Sequence, residues 1–166
     1  MRDATRFQKG FFCLGLHRPK NGENVGGVLR AAYCYGAAQV LIEEGRGRFL
    51  SHSSNTPSGH RHIPTTLTED MLESTPYDTR IVAVDILPGA VALPAFQHPK
   101  RALYVFGPED GTLGKRFSER AHYTVYVPTR SCMNLAACVN VVLYDRLAKA
   151  LRDNNQRLPR HATAAA

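Results

Sequence analysis

The chain has 166 residues, with 21 Lys and Arg against 14 Asp and Glu, four cysteines, and no apolar run near the roughly 20 residues that a membrane-spanning helix requires. That length supports one domain with a single core and no need of disulfide staples, and cysteines without CxxC spacing in a chain lacking a signal sequence lead to the expectation of a reduced, cytoplasmic protein. The net charge of +7 attracts polyanions, nucleic acid first among them, although solubility alone also accounts for such an excess.

In chain order, "GFFCLGL" (10–16) reads as a buried strand, and "NVGGVLRAAYCYG" (24–36) as a helix with Asn24 at its N-cap and Gly36 at its stop. "AAQVLIE" (37–43) is a second strand. Residues 45–64 are polar, basic and poor in large apolar side chains, hence a long surface loop. "TEDMLEST" (68–75) reads as a short helix capped by Thr68, and "RIVAVDIL" (80–87) as a strand buried on both faces. "RALYVF" (101–106) and "YTVYVP" (123–128) are two more strands flanking a short helix around "GKRFSERA" (114–121). The longest periodic stretch, about 133–155, is a helix with an apolar face and basic later turns. This alternation predicts an α/β fold, a mostly parallel sheet flanked by helices, occupying residues 1–152 as one domain, with a frayed tail over 153–166.

"LYVFGPEDGTLG" (103–114) delivers a strand into a glycine-punctuated loop with two adjacent acids, Glu109 and Asp110. Strand, Gly-rich turn and helix is the usual ligand position in α/β proteins. Carboxylates would repel a phosphate, so a neutral or cationic ligand fits better. Arg46, Arg48 and Arg61 give the basic loop the character of an RNA-contact surface. His52, His60 and His62 in the same loop lack a third ligand at a recognised spacing, so no metal is expected.

Three segments, "NGENVGGVLRAAYCYGA", "LYVFGPEDGTLG" and "VYVPTRSCMNLAACVNVVLYD", each combine small or amide residues with a helix start. In this order and spacing they closely resemble the three motifs of the SpoU/TrmH family of RNA ribose 2'-O-methyltransferases, of the SPOUT class. The resemblance covers about residues 10–150. It implies a sheet whose C-terminal part is threaded into a deep trefoil knot, an exception to the unknotted rule. It implies S-adenosylmethionine as cofactor, held by Val84, Asp85, Gly107, Glu109, Gly111, Val127, Cys132, Met133 and Leu135. It also implies a homodimer paired through the first and last helices.

The same resemblance makes Arg30 the family's key arginine, reaching across the dimer to the ribose and phosphate of the target, with Asn24, Glu109 and Asn134 completing the catalytic set. Tyr144 stands at the family's tyrosine, and Arg130 is placed to contact RNA phosphate. An arginine does not readily release a proton, so orientation and charge neutralisation are its safer role. Cys132 departs from the family's frequent serine, with Ser131 next to it. The expected activity is 2'-O-methylation of structured RNA, transfer RNA first and ribosomal RNA second, with no membrane and no metal. The alternative is a non-catalytic RNA-binding or ribosome-assembly protein retaining the fold.

Overall fold

The computed structural model describes residues 9–43 and 63–157. Strand β1 (Phe11–His17) is buried along its middle, as its unbroken apolar run requires of a strand covered on both faces. Helix α1 (Gly22–Tyr35) follows a four-residue turn, and its cap is Asn21 rather than Asn24. Asn21 is extended, and its side chain accepts from the Glu23 N–H at 2.7 Å. Asn24 therefore lies inside the first turn with its carboxamide free for tertiary use. Gly36 ends α1 in the left-handed region, φ 75°, as expected of a glycine stop.

The remaining elements are β2 (Gln39–Glu43), β3 (Thr65–Thr68), β4 (Arg80–Val84), β5 (Val91–Ala92), a 3-10 turn (Leu93–Ala95), β6 (Arg101–Phe106), α2 (Lys115–Arg120), β7 (Tyr123–Tyr126) and α3 (Leu135–Arg157). The strands form one sheet in the order β3-β2-β1-β6-β4-β7-β5, with every registered pair parallel. The expected mostly parallel α/β sheet is thus observed.

Three further expectations need correction. Residues 68–75 form no helix: Thr68 ends β3, and the Asp70 carboxylate accepts from the N–H groups of Leu72 and Glu73, closing a turn instead. The strand expected over 80–87 stops at Val84, because Asp85 turns its carboxylate back onto the Ile86 N–H and across to Leu113. The last helix continues through Arg157, past the point where the tail was expected to fray.

Alternate residues of the strands feed two cores. Phe12, Leu14, Leu16, Val82, Tyr104 and Phe106 pack under α1 and α3, while Cys13, Leu41, Ile81, Leu103 and Val105 pack with Met71, Leu113 and Phe117 of the 69–72 turn, the 107–114 loop and α2. The sheet is sandwiched between helical layers. Where α1 crosses α3 the spacing is set by small residues: a Cβ on Gly27 would lie 2.7 Å from that of Ala136. Parallel strands all end on one edge, so the chain leaving β6 at Phe106 emerges between the ends of β1 and β4.

Candidate active site

Three segments far apart in sequence are tied together at that edge. The Glu109 carboxylate, on the loop after β6, accepts from the main-chain N–H groups of Lys20 (3.0 Å) and Asn21 (3.3 Å) and from the Asn24 side chain (2.8 Å). Asn24 in turn accepts from Asn134 Nδ2 at 2.7 Å. Asn134 uses its own Oδ1 to take the N–H groups of Ala136 and Ala137, capping α3. The Lys20 ammonium pairs with Asp110. Partial desolvation pushes the Glu109 carboxyl up, but the hydrogen bonds from Asn24, Lys20 and Asn21 outweigh it and hold the group below its ordinary range. Asp110 is lowered by the hydrogen bond from Lys20.

Beside this network lies a cleft of about 140 Å³. Its wall contains Val84 and Asp85 from the end of β4, Gly107, Glu109 and Gly111 from the loop after β6, and Val127, Cys132, Met133 and Leu135 from the segment between β7 and α3. All nine residues expected from sequence to surround one ligand are therefore brought together. Phe106, Tyr126 and Cys138 line it as well. Asp85 fixes two of the walls to each other, its carboxylate accepting from the Leu113 N–H at 2.8 Å while its own N–H donates to Val125 O at 2.9 Å. A Cβ on Gly107 would meet Leu113 N at 3.3 Å, so the loop folds back onto a position where glycine leaves room for the backbone. Burial raises the Cys138 thiol to about 11, which keeps it protonated; Cys132 is exposed at the cleft.

The model of the SpoU rRNA Methylase family matches residues 12–144. The chain belongs to this family. No curated protein sequence matches it. Among solved structures, the A. aeolicus TrmH/SpoU tRNA modifying enzyme superposes with a TM-score of 0.75 at 16% identity, over 97% of this chain and 87% of that one. AviRb from Streptomyces viridochromogenes, in complex with the cofactor AdoMet, gives 0.73 at 21% identity over 86% of this chain; the chain spans only 59% of AviRb. A structure described as giving insight into 2-OH methylation of C/U34 on tRNA gives 0.70 at 24% identity, over 88% and 92% of the two chains.

In this SpoU chain the remaining expected residues separate into two groups. Asn24, Glu109 and Asn134 form the network described above. Arg30 is exposed on α1, outside the cleft wall, and has no hydrogen bond or ion pair among the described residues. Arg130 and Ser131 are exposed on the segment before α3, and Tyr144 is 63% exposed on its outer face. Arg46, Arg48, Arg61 and the three loop histidines lie outside the described residues, and no group of side chains able to hold a metal ion occurs among those described.

Sequence reasoning missed Lys20 and Asn21, whose contribution to the SpoU site is largely main-chain N–H and carries no residue signature. It also missed a buried cluster at the end of β2. There Glu43, 3% exposed, takes Arg116 at 2.8 Å and the Met71 N–H at 3.3 Å, and Arg116 pairs onward with Asp70. His17 Nδ1 comes within 3.3 Å of Glu43 without hydrogen-bonding geometry; burial and the neighbouring Arg18 and Arg116 keep this imidazole below its usual range despite the carboxylate. The cluster anchors the chain at the entry to the basic loop.

Proposed function

We propose that this SpoU family member is an S-adenosylmethionine-dependent methyltransferase acting on a ribose 2'-hydroxyl of structured RNA, transfer RNA before ribosomal RNA. The observation that carries the reading is the convergence of all three family motifs on one cleft at the C-terminal edge of the sheet, locked by the Asn134–Asn24–Glu109 chain. The knotted threading of the C-terminal part belongs to the same reading.

The residues present fit the cofactor. The cleft offers apolar walls from Val84, Val127 and Leu135, close-approach glycines, and the carboxylates of Asp85 and Glu109, which suit a cation and not a phosphate. When bound, S-adenosylmethionine supplies an electrophilic methyl group on a positively charged sulfur. At about 140 Å³ the cleft is tighter than the roughly 300 Å³ and above that small-molecule sites usually offer, so binding must widen it. The wall that yields is the exposed stretch 128–132, which lacks the cross-ties that hold Asp85 and Glu109.

Within this reading Glu109 is a positioning residue. Three donors already occupy its carboxylate and hold it ionised, so it shapes the loop and does not take up the ribose proton. Arg30, exposed on α1, orients the ribose and neutralises the adjacent phosphate from across a homodimer built on α1 and α3. The exposure of Tyr33, Val141 and Tyr144 on these helices supports that pairing. Arg46, Arg48, Arg61 and Arg130 are the proposed RNA contacts.

The test is to map 2'-O-methyl sites in total RNA from cells with and without the gene, then incubate the unmethylated RNA with purified protein and labelled S-adenosylmethionine. One site should vanish and be restored in vitro. Unchanged maps with no methyl incorporation would leave a binding protein in place of an enzyme.

A further inference from the structure

At the opposite end of the sheet lies a larger cavity of about 400 Å³, walled by residues 94–100 and the later turns of α3. It opens beside Lys9 and Lys100, just before β1 and β6 begin, whereas the cleft described above opens where β6 ends. Its lining carries Lys9, Lys100, Arg146, Lys149 and Arg152, against Asp153 as the carboxylate among these described lining residues. His98 in the same wall is held neutral by burial, at about 4.

The cations have two different jobs. Arg146, 5% exposed, donates to the carbonyls of Pro99 (2.7 Å) and Lys100 (3.1 Å) and to Tyr104 Oη (3.0 Å). Lys149 donates to the carbonyls of Leu93 (2.6 Å) and Phe96 (2.8 Å) and pairs with Asp145. These two side chains rivet the 93–100 segment to α3 and give the groove a fixed shape. Lys9, Lys100 and Arg152 are exposed, and none of the three has a side-chain hydrogen bond or ion pair among the described residues.

We infer that this groove is a second RNA-docking surface, one that grips the phosphodiester backbone at a distance from the methylated nucleotide. The inference rests on the functional reading above and extends it to substrate selection. A small-anion site would aim buried, uncommitted donors at one point, and here the buried donors are already given to carbonyls. What the groove exposes is a strip of cations from three separate segments, the arrangement that suits a polyanion exchanging its counterions. The groove and the cleft lie at opposite ends of the six-residue β6, about 20 Å apart at about 3.3 Å per residue. A folded RNA spans that distance and a fragment of a few nucleotides, at about 3.4 Å or more per nucleotide, does not, so the groove discriminates against short fragments.

The test compares the wild type with the triple variant Lys9→Glu, Lys100→Glu, Arg152→Glu, all exposed changes that leave the rivets intact. Calorimetry with S-adenosylmethionine and thermal melting should be unchanged. Anisotropy with a labelled full-length tRNA transcript should show affinity reduced about tenfold or more near physiological salt, and a slope of log affinity against log salt flatter by about 2 to 3. A labelled four-nucleotide single strand should lose far less, and turnover at saturating RNA should persist while KM rises. A variant with wild-type affinity and slope on full-length tRNA, alongside a wild type that methylates total RNA, overturns the groove alone. A wild type that neither binds nor methylates any RNA overturns the functional reading and the groove with it. Loss of binding to poly-glutamate without change on RNA assigns the groove to an acidic protein and also overturns the inference.

Discussion

Asn134 and Asn24 are 110 positions apart in the chain, yet the Nδ2 of the first donates to the Oδ1 of the second at 2.7 Å. That contact leaves the Asn24 amide free to face Glu109, so its amide is oriented by partners on both sides. Asn24→Ala should cost about 1 to 2 kcal/mol of stability, and Asn24→Asp more, because it sets a second carboxylate against Glu109. Repulsion raises one carboxyl of that pair above its unfolded value. A raised carboxyl loses stability as pH rises through its folded pKa, so the Asn24→Asp deficit should shrink between pH 7.5 and 5. Parallel thermal melts check this; an equal deficit at both pH values contradicts the charge argument.

Arg30→Ala should leave S-adenosylmethionine binding intact by calorimetry, since Arg30 is outside the cleft wall. Turnover should fall about a hundredfold, the loss of a charge-assisted contact of about 3 kcal/mol, and Arg30→Lys should recover little because an ammonium lacks the planar fork. Mixing Arg30→Ala with a binding-deficient Gly107→Val protein should restore activity in exchanged dimers. No recovery, with exchange confirmed by mass, places Arg30 elsewhere.

Gly107 allows a more specific test of the cleft. Its Cβ position faces Leu113 N at 3.3 Å and Leu113 Cγ at 3.5 Å, not the open cleft, so a side chain there displaces the loop and does not simply fill the ligand's space. Gly107→Val should weaken S-adenosylmethionine binding and, without ligand, speed amide exchange over residues 108–114. Weakened binding with unchanged exchange would return to direct occlusion.

At the α1–α3 crossing two effects oppose each other. Ala at position 27 gains about 1 kcal/mol of helix propensity over Gly, while a Cβ placed 2.7 Å from Ala136 Cβ forces the helices apart at a cost of about 1 to 3 kcal/mol. Neither methyl can swing aside, so the steric term should prevail and Gly27→Ala should lower Tm. Adding Ala136→Gly should bring Tm back near the wild type; a double variant no better than the single would show that the crossing is set elsewhere.

His98 is predicted to govern acid stability. It sits between Tyr104 Oη (2.7 Å) and Asp145 (2.8 Å), and burial lowers it to about 4 against the Asp145 carboxylate, which acts in the other direction. The unfolded imidazole binds its proton near 6.5, so between these values the unfolded state holds more protons and stability rises with pH. Full at neutral pH, this contribution should be lost as pH falls from 6.5 to 4, to the extent of about 3 kcal/mol at about 1.36 kcal/mol per pKa unit. Urea midpoints of the wild type and His98→Gln across that window should converge toward pH 4. Parallel curves would remove His98 from the account.

The parts legible in the sequence are those where one residue type has one physical use. "RALYVF" could only be a doubly covered strand, and β6 matches it residue for residue. Gly36 could stop α1 because αL is open to it. Where two residues compete, local reading fails: "NGEN" offers two asparagines, and only the tertiary demand of Glu109 and Asn134 for Asn24 decides that Asn21 becomes the cap. Strand β3, "TTLT", is a partly exposed edge strand without apolar alternation, and β5 has two residues, so neither carries a periodic signal. The motif residues around the cleft were found by type and spacing. The main-chain donors of Lys20 and Asn21 that hold Glu109 were not, since any residue can offer its N–H.

The order of strands has a consequence for how the chain is made. Strand β6 lies between β1 and β4, yet both neighbours precede it in sequence, β1 by more than eighty residues. During synthesis the unpaired N–H and C=O groups on the edges of the apolar strands β1 and β4 wait for a central strand not yet translated. At about 5 to 20 residues per second that wait lasts about 4 to 17 s for β1, far longer than collapse of a chain this size. Nascent chains halted before Phe106 should therefore bind chaperones and aggregate, whereas chains halted after α3 should not, a contrast that stalled-ribosome pelleting would reveal.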